Sequence, residues 1–191
     1  MDFDTWEPVY EAILADFGFD RAADEAARDR LASLLADAEL FSLADLDVAD
    51  DTVAIAGVGP SLEASTALVE AADVVVGAST AVDRLQAEGH EVDCMVTDLD
   101  KNPETVRALT AAGTPVAIHA HGDNLDAVER VVPTVDPAAV IPTTQAAPAG
   151  PVRNFGGFTD GDRAAFLADS LGAASLTFPG WDFDDRTVDP V

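Results

Sequence analysis

Short apolar runs alternate with helical segments along the chain from Thr52 onward. A run that is apolar throughout predicts a strand buried on both faces, and a single helix between two runs suits a crossover between parallel strands. The pattern therefore predicts an α/β fold, in which a mostly parallel, Rossmann-like sheet carries helices on both faces. The predicted strands are 53–57, 74–79, 94–98, 116–121, 140–144 and 175–180. The predicted helices between them lie near 61–72, 80–88, 103–112, 124–132 and 160–171.

The start of the chain follows a different pattern. Trp6, Tyr10 and Leu14 recur at helical spacing, and Gly18 suits a C-terminal cap. A second stretch, from 21 to about 38, is rich in Ala and Leu and also predicts a helix. The sequence thus predicts a small helical lobe before the sheet.

The division that we predict places this N-terminal lobe at 1–51 and an α/β catalytic domain at 52–191. Residues 1–51 carry 15 acids and three arginines, so much of the negative charge falls on the lobe. We interpret its outer face as acidic and solvated.

Net charge excludes several classes of partner. Asp and Glu number 36 against 10 Lys and Arg, and Lys101 is the single lysine. Such a chain lacks the basic clusters that nucleic acid requires. Concentrated salt would screen its self-repulsion, and the composition resembles proteins of halophilic archaea.

The cellular location of the protein is predicted from features that the sequence lacks. No apolar stretch is long enough to cross a membrane, the acidic N-terminus is unlike a signal peptide, and lone Cys94 cannot form an intrachain disulfide. We expect a cytoplasmic protein, with no membrane partner. Whether it forms a homo-oligomer is left open.

A glycine-rich turn, Gly57-Val58-Gly59-Pro60-Ser61, follows the first predicted strand. Glycines let a phosphate approach the backbone closely, and the amides at a helix N-terminus attract anions. The turn lacks the third glycine of a dinucleotide fingerprint and the Gly-Lys-Ser/Thr of a Walker loop. A tight strand-to-helix turn explains it equally well.

Two acids, Asp98 and Asp100, end the third predicted strand. Side chains two residues apart on an extended segment share a face, with Cα atoms roughly 7 Å apart. Such a carboxylate pair suits Mg²⁺. The alternative is a turn in which the acids assist a helix cap at Asn102, but the carboxyl end of a strand favours the metal.

Polar side chains also follow the fourth predicted strand, in His119-Ala120-His121-Gly122-Asp123-Asn124. No third nitrogen or thiolate lies nearby to complete a zinc site. Neutral imidazoles of His119 and His121 could donate to phosphate oxygens. Asp123 and Asn124 could pair with a heterocycle or cap the next helix.

The last motif spans 153–163 and follows a predicted lid loop at 143–154. Arg153 could grip a phosphate, and Phe158 offers a ring for stacking. Asp160 opens a helix, where an acid favours the helix dipole. Gly161 is costly in a first helical turn, and we predict that a ligand approaches it closely.

Taken in order, the motifs GxGPSL, VTDLD, HAHGDN and GGFTDGDRA resemble those of the archaeal 6-hydroxymethyl-7,8-dihydropterin diphosphokinases, the MptE-like proteins. The resemblance covers about 55–184, and the family's fold is similar to the catalytic domain of thiamine diphosphokinases. It implies transfer of a diphosphate from ATP to the hydroxymethyl group of a reduced pterin, with release of AMP, in folate- or methanopterin-type cofactor synthesis.

The resemblance also implies roles for residues. Asp98 and Asp100 would be catalytic and hold Mg²⁺, and Asp160 would assist them. ATP would be bound by Gly57, Gly59, Ser61, His119, His121 and Arg153. The pterin would be bound by Asp123, Asn124, Asn154 and Phe158.

Relatives in the family continue with a further helix, whereas this chain stops at Thr187-Val188-Asp189-Pro190-Val191, which predicts a truncated C-terminus. Three other functions are also compatible with the sequence. These are a thiamine-diphosphokinase-like enzyme with another acceptor, a non-catalytic nucleotide-sensing module, and a glycosyltransferase.

Overall fold

Six parallel strands form one sheet in a computed structural model that describes residues 1–183; the tail 184–191, where the truncation was predicted, lies outside the described residues. The strand order is β5-β4-β3-β2-β1-β6, and every neighbouring pair is parallel. The predicted α/β fold is confirmed. The strands are β1 (Thr52–Ala56), β2 (Val74–Ala78), β3 (Cys94–Thr97), β4 (Val116–Ala120), β5 (Val140–Thr144) and β6 (Ser175–Thr177).

Helices precede the sheet and join its strands. The predicted segment 61–72 forms instead a 3₁₀ turn at Glu63–Ser65 and a five-residue helix. The Ser65 hydroxyl donates to the carbonyl oxygens of Ser61 and Leu62, and such bonds compete with a regular α-helix. The helices are α1 (Phe3–Phe17), α2 (Arg21–Leu34), α3 (Thr66–Glu70), α4 (Ala81–Ala87), α5 (Pro103–Ala112), α6 (Leu125–Val131) and α7 (Asp160–Ser170).

The sheet is buried on both faces, as predicted. Val53 and Ile55 of β1 belong to the apolar cluster on the α7 side, whereas Ala54 and Ala56 belong to the cluster formed with α2 to α6. Right-handed crossovers explain this division. The chain steps in one direction from β1 to β5 and then crosses back to β6, so the last crossover helix, α7, covers the opposite face.

Helix α1 begins after an Asp2 cap and ends at Gly18, the C-terminal cap that the sequence predicts. The Asp2 carboxylate accepts from the Thr5 N–H, and Gly18 takes a left-handed conformation after α1. Ala27 and Leu31 of α2 belong to the same apolar cluster as one face of the sheet. The boundary between residues 51 and 52 stays a prediction.

No helix within residues 1–183 is both long enough and apolar enough to cross a bilayer.

Candidate functional site

The two acids after β3 meet through a turn. The strand ends at Thr97, and Leu99 takes a left-handed backbone conformation with φ 69°. The Thr97 hydroxyl accepts from the Leu99 N–H, and Asp98 Oδ1 accepts from the Asp100 N–H at 3.3 Å. The prediction of an extended segment was therefore wrong, although the two carboxyl groups do lie close enough for each to shift the pKa of the other. A left-handed leucine costs about 1–2 kcal/mol, and such strain is concentrated at functional sites.

The pKa values of these two carboxyl groups are shifted in opposite directions. Burial alone would raise the pKa of Asp98, but hydrogen bonds from His121 and Asp100, together with the charge of Arg163, hold that pKa below its ordinary value. Burial and then the Asp98 carboxylate raise the pKa of Asp100. A cation bound between the two carboxyl groups would relieve the repulsion that raises the pKa of Asp100.

Helix α7 adds a third acid and a buried cation from the opposite face of the sheet. Arg163 Nη1 lies 3.0 Å from Asp160 Oδ1 and 3.9 Å from Asp98 Oδ2. Burial raises the pKa of Asp160 to about 7, against the opposing charge of Arg163. Asp160 thus joins the predicted pair.

Arg163 is a site residue to which sequence reasoning gave no role. Its position three residues after Asp160 is the signal that could have found it, because side chains at that spacing meet on a helix. The side chain is only 7% exposed, so a charged group is held inside the protein beside the acids.

The loop after β4 places His121 against the acids. His121 Nδ1 accepts from the Asp123 N–H, so Nε2 carries the proton and lies 3.5 Å from Asp98 Oδ2. The Asn124 amide donates to the carbonyl oxygens of Asp98 and His119 and accepts from the His121 N–H. Asn124 therefore joins the ends of β3 and β4, which argues against its predicted pairing with a heterocycle. Asp123 is exposed.

His119 lies beneath this loop and is almost fully buried. Burial, followed by the charges of Arg163 and His121, holds the pKa of His119 well below its ordinary value, so the ring is neutral. The Thr143 hydroxyl donates to the Ile118 carbonyl oxygen and so accepts from His119 Nδ1 at 3.0 Å. The other ring nitrogen is then an acceptor, which argues against the predicted contact of His119 with phosphate.

A narrow cavity, with room for about one water molecule, lies between His119 and Arg163. Among the described residues, His119 Nε2 and Arg163 Nε are buried atoms that lack a hydrogen-bond partner. The floor of the site therefore has one acceptor and one donor to offer to a small polar group.

The glycine-rich turn after β1 is filled by the protein itself. The N–H groups of Gly57 and Gly59 donate to the carbonyl oxygens of Pro179 and Gly180, and the Ser61 N–H donates to Asp182 Oδ2. A Cβ on Gly57 would lie 2.8 Å from the Gly180 oxygen and from the Trp181 ring. These glycines make room for the segment 179–182, and their predicted contact with ATP stays a prediction.

Gly161 has a similar explanation. A Cβ there would lie 2.7 Å from the Trp181 ring, whose indole N–H donates to the Ile55 carbonyl oxygen. The close neighbour of this glycine is thus a tryptophan, which explains the glycine without a ligand, and the approach of a ligand stays a prediction. Arg84, another residue that the sequence did not indicate, donates to the carbonyl oxygens of Val58 and Gly59 and fixes the turn from outside.

The remaining predicted residues lie in the loop before α7. Asn154 Nδ2 donates to the carbonyl oxygens of Gln145 and Ala146, and Asn154 Oδ1 accepts from the Gly156 N–H, so this amide holds the loop together. Arg153 is exposed. Phe158 is stacked with two exposed rings, and its ring centroid lies 5.7 Å from that of Phe17 and 6.1 Å from that of Phe19.

The site residues can be tested for their fit to Mg²⁺. Residues 1–183 contain no group of three or more His, Cys, Asp or Glu side chains that could hold a metal ion. Magnesium, however, is commonly bound by one or two carboxylates together with water and substrate phosphates. The Asp98 and Asp100 pair, with its mutual repulsion, fits an ion that arrives with a phosphate.

Comparison with known proteins gives a consistent result. The family described as "6-hydroxymethylpterin diphosphokinase MptE-like" matches residues 30–187. A relative from Methanothermobacter thermautotrophicus is 40% identical over 188 residues, which cover 97% of this chain and 80% of the relative. Relatives from Pyrococcus furiosus and Methanocaldococcus jannaschii are 35% and 34% identical, and the matches cover 96% of this chain in both cases and 79% and 80% of the relatives. All three are named 6-hydroxymethyl-7,8-dihydropterin pyrophosphokinase.

Proposed function

Because the chain belongs to the MptE-like family of 6-hydroxymethylpterin diphosphokinases, we propose that it transfers a diphosphoryl group from ATP to 6-hydroxymethyl-7,8-dihydropterin and releases AMP. The names of three relatives at 34–40% identity support this substrate. The product would enter folate- or methanopterin-type cofactor synthesis in the cytoplasm of a salt-loving archaeon. A net charge of −26 supports the proposed adaptation to salt.

The observation that carries the proposal is the gathering of three acids and two basic side chains at one edge of the sheet. Asp98, Asp100 and His121 come from the carboxyl ends of β3 and β4, where ligands of parallel sheets bind. Asp160 and Arg163 arrive from the first turn of α7. A mixed cluster of this kind suits a ligand that brings both phosphate and a cation.

The reaction requires placement and charge neutralisation more than a strong base. The hydroxymethyl oxygen attacks the β-phosphorus, and the bond from that phosphorus to the oxygen it shares with the α-phosphorus breaks. Asp98 and Asp100 would hold Mg²⁺, which neutralises phosphate charge when it is bound. Arg163 is fixed by Asp160, and its buried guanidinium adds positive charge that water does not screen.

His121 has a positioning role in the proposed reaction. Its Nε2–H faces Asp98 Oδ2 at 3.5 Å, so the ring limits the positions open to that carboxylate. Orienting a metal-binding carboxylate in this way is a common role of neighbouring hydrogen-bonding groups. We assign His121 to positioning Asp98 rather than to direct phosphate contact.

An assay of AMP formation tests the proposal. The protein is incubated with ATP, Mg²⁺ and the reduced pterin in molar KCl, since we expect salt to screen the repulsion within the acidic chain. We expect AMP and the pterin diphosphate in equal amounts. A parallel reaction with thiamine should give no AMP above the level without acceptor.

Two results would overturn the proposal. AMP formation with thiamine and not with the pterin would show another acceptor. Binding of ATP by a folded protein that forms no AMP would show a nucleotide-sensing module.

A further inference from the structure

A buried acid of α2, Asp24, connects the N-terminal helices to the site. Asp24 is only 3% exposed, and its carboxylate accepts three hydrogen bonds. Oδ2 accepts from the Tyr10 hydroxyl at 2.7 Å and from Gln145 Nε2 at 2.9 Å, and Oδ1 accepts from the Gly122 N–H at 2.7 Å. A buried carboxylate with three donors fixes the position of each of them.

Two of these donors lead directly to the site. Gly122 follows His121, the ring that faces Asp98. Gln145 uses its Nε2 on Asp24, and its Oε1 accepts from Arg163 Nη2 at 3.4 Å. Asp24 therefore reaches both basic side chains of the acid cluster through one intermediate residue each.

The backbone of α2 is fitted closely to the loop after β4. A Cβ on Gly122 would lie 2.8 Å from the Ala23 Cβ, so a glycine is needed for the helix to approach this far. Helix α1 also takes part, because the Trp6 indole donates to the Gln145 carbonyl oxygen at 3.0 Å. The two N-terminal helices thus hold the side chain and the backbone of the same glutamine.

We propose that Asp24 is a positioning residue of the diphosphotransfer site, which sets the direction of the Gln145 amide and thereby the place of Arg163. An amide has one donating and one accepting end. Because Asp24 takes the donating end, the accepting oxygen must face Arg163. The inference rests on the proposed function for its catalytic consequence, and the N-terminal helices then form part of the catalytic unit.

Exchanging the hydrogen-bond donor and acceptor between residues 24 and 145 tests this proposal. In Asp24→Asn the amide oxygen should stay on the Gly122 N–H, because a backbone donor cannot turn, whereas the Tyr10 hydroxyl and the Gln145 amide can. The new NH₂ then faces Gln145 Nε2, and Gln145 can pair with it only by turning its own NH₂ toward Arg163. We expect kcat to fall about tenfold or more, since small displacements at a reacting site are costly. Adding Gln145→Glu supplies one carboxylate oxygen to the new amide at position 24 and the other to Arg163, so the double variant should recover most of the lost kcat.

Gln145→Glu alone serves as the third corner of the cycle. It sets a carboxylate against Asp24, so its kcat should lie below that of the double variant. Tyr10→Phe is the matched control, because it removes one hydrogen bond to Asp24 and keeps the two from Gln145 and Gly122 that lead to the site. It should lower the melting temperature and leave kcat unchanged.

A readout that does not need turnover is the NMR signal of Arg163 Nε–H, assigned by its loss in Arg163→Lys. The signal should shift in Asp24→Asn and return in the double variant. Wild-type AMP formation decides the proposed function separately, so this signal still decides the inference if the wild type is inactive.

The inference would be overturned if the losses of kcat in the two single variants multiply in the double variant. It would also be overturned if the Arg163 signal is unchanged in both single variants. If Asp24→Asn alone does not fold, the double variant decides. Its folding with near wild-type signals supports the inference, and its failure to fold overturns it.

Discussion

The carboxyl ends of β1 and of β3 and β4 lie on the same edge of one sheet but are built differently. After β1, the N–H groups of Gly57, Gly59 and Ser61 all donate to the protein's own segment 179–182. After β3 and β4, carboxyl groups crowd together beside Arg163, and buried polar atoms of the floor have no partner within the described residues. One end is satisfied by the protein, and the other is left ready for a ligand.

This difference shows that a glycine-rich turn alone is weak evidence for a phosphate-binding site. Glycine permits a close approach, but the neighbour can be a phosphate or the chain itself. Carboxylates that repel one another are more specific, because their proximity is costly until a cation or a proton joins them. Four experiments test this contrast between the two strand ends.

Asp98→Asn should have the largest effect, on turnover. It removes one of the two carboxylates assigned to Mg²⁺, and we expect kcat for AMP formation to fall about a hundredfold or more, as when a charge-stabilising group is lost from a reacting site. The melting temperature should stay close to that of the wild type. The matched control is Asp169→Asn, which removes the same charge from an exposed position of α7. Unchanged turnover in Asp98→Asn would discard the metal assignment.

Gly57→Ala should act on stability. A Cβ there would lie 2.8 Å from a backbone oxygen, which cannot turn away as a side chain can. We expect the free energy of unfolding, measured by urea denaturation in molar KCl, to fall by about 1–3 kcal/mol. Val58→Ala, at an exposed neighbour in the same turn, should change it by less than about 0.5 kcal/mol. The contrast breaks if Gly57→Ala leaves stability unchanged and instead raises the KM for ATP.

Mg²⁺ without nucleotide should stabilise the protein through the acid pair. At ten times the dissociation constant, a ligand of the folded state adds about 1.4 kcal/mol to the free energy of unfolding. We expect a rise of that size in the wild type and in Asp169→Asn, and none in Asp100→Asn. An equal rise in all three proteins would show that the ion binds elsewhere.

Gly161→Ala should have the smallest effect, on the free energy of unfolding. Alanine in place of a helical glycine usually adds about 1 kcal/mol of stability. Here the Trp181 ring stands 2.7 Å from the added carbon, so we expect no gain in the wild type. In a Trp181→Leu background the usual gain should appear in the same denaturation experiment. A gain of equal size in both backgrounds would contradict the assignment of Trp181 as the neighbour.

The fold was predictable because its signals are local. Runs such as 53–57 and 74–78 are apolar throughout, which is the pattern typical of a strand buried on both faces. The predicted helix at 61–72 was wrong in its first part because the Ser65 hydroxyl binds preceding carbonyl oxygens, a competition that apolar spacing does not reveal.

The site was predictable in part. Asp98, Asp100 and Asp160 could be found because each stands at the end of a strand or the start of a helix. Asp24 and Gln145 could not be found, since an acid in an Ala-rich helix has the pattern of a solvated residue. Their roles depend on contacts across 121 positions of sequence.

The parallel sheet, its two covered faces and the strand ends at which polar side chains gather follow from the sequence alone, because burial and helical spacing act over a few residues. Which groups meet at those strand ends depends on the folded structure. It placed Trp181 against Gly57 and Gly161, turned His119 inward, and joined Asp24 to Arg163 through Gln145. Hydrogen bonds and close packing between distant segments depend on the folded path of the chain, and that path leaves no local pattern to read.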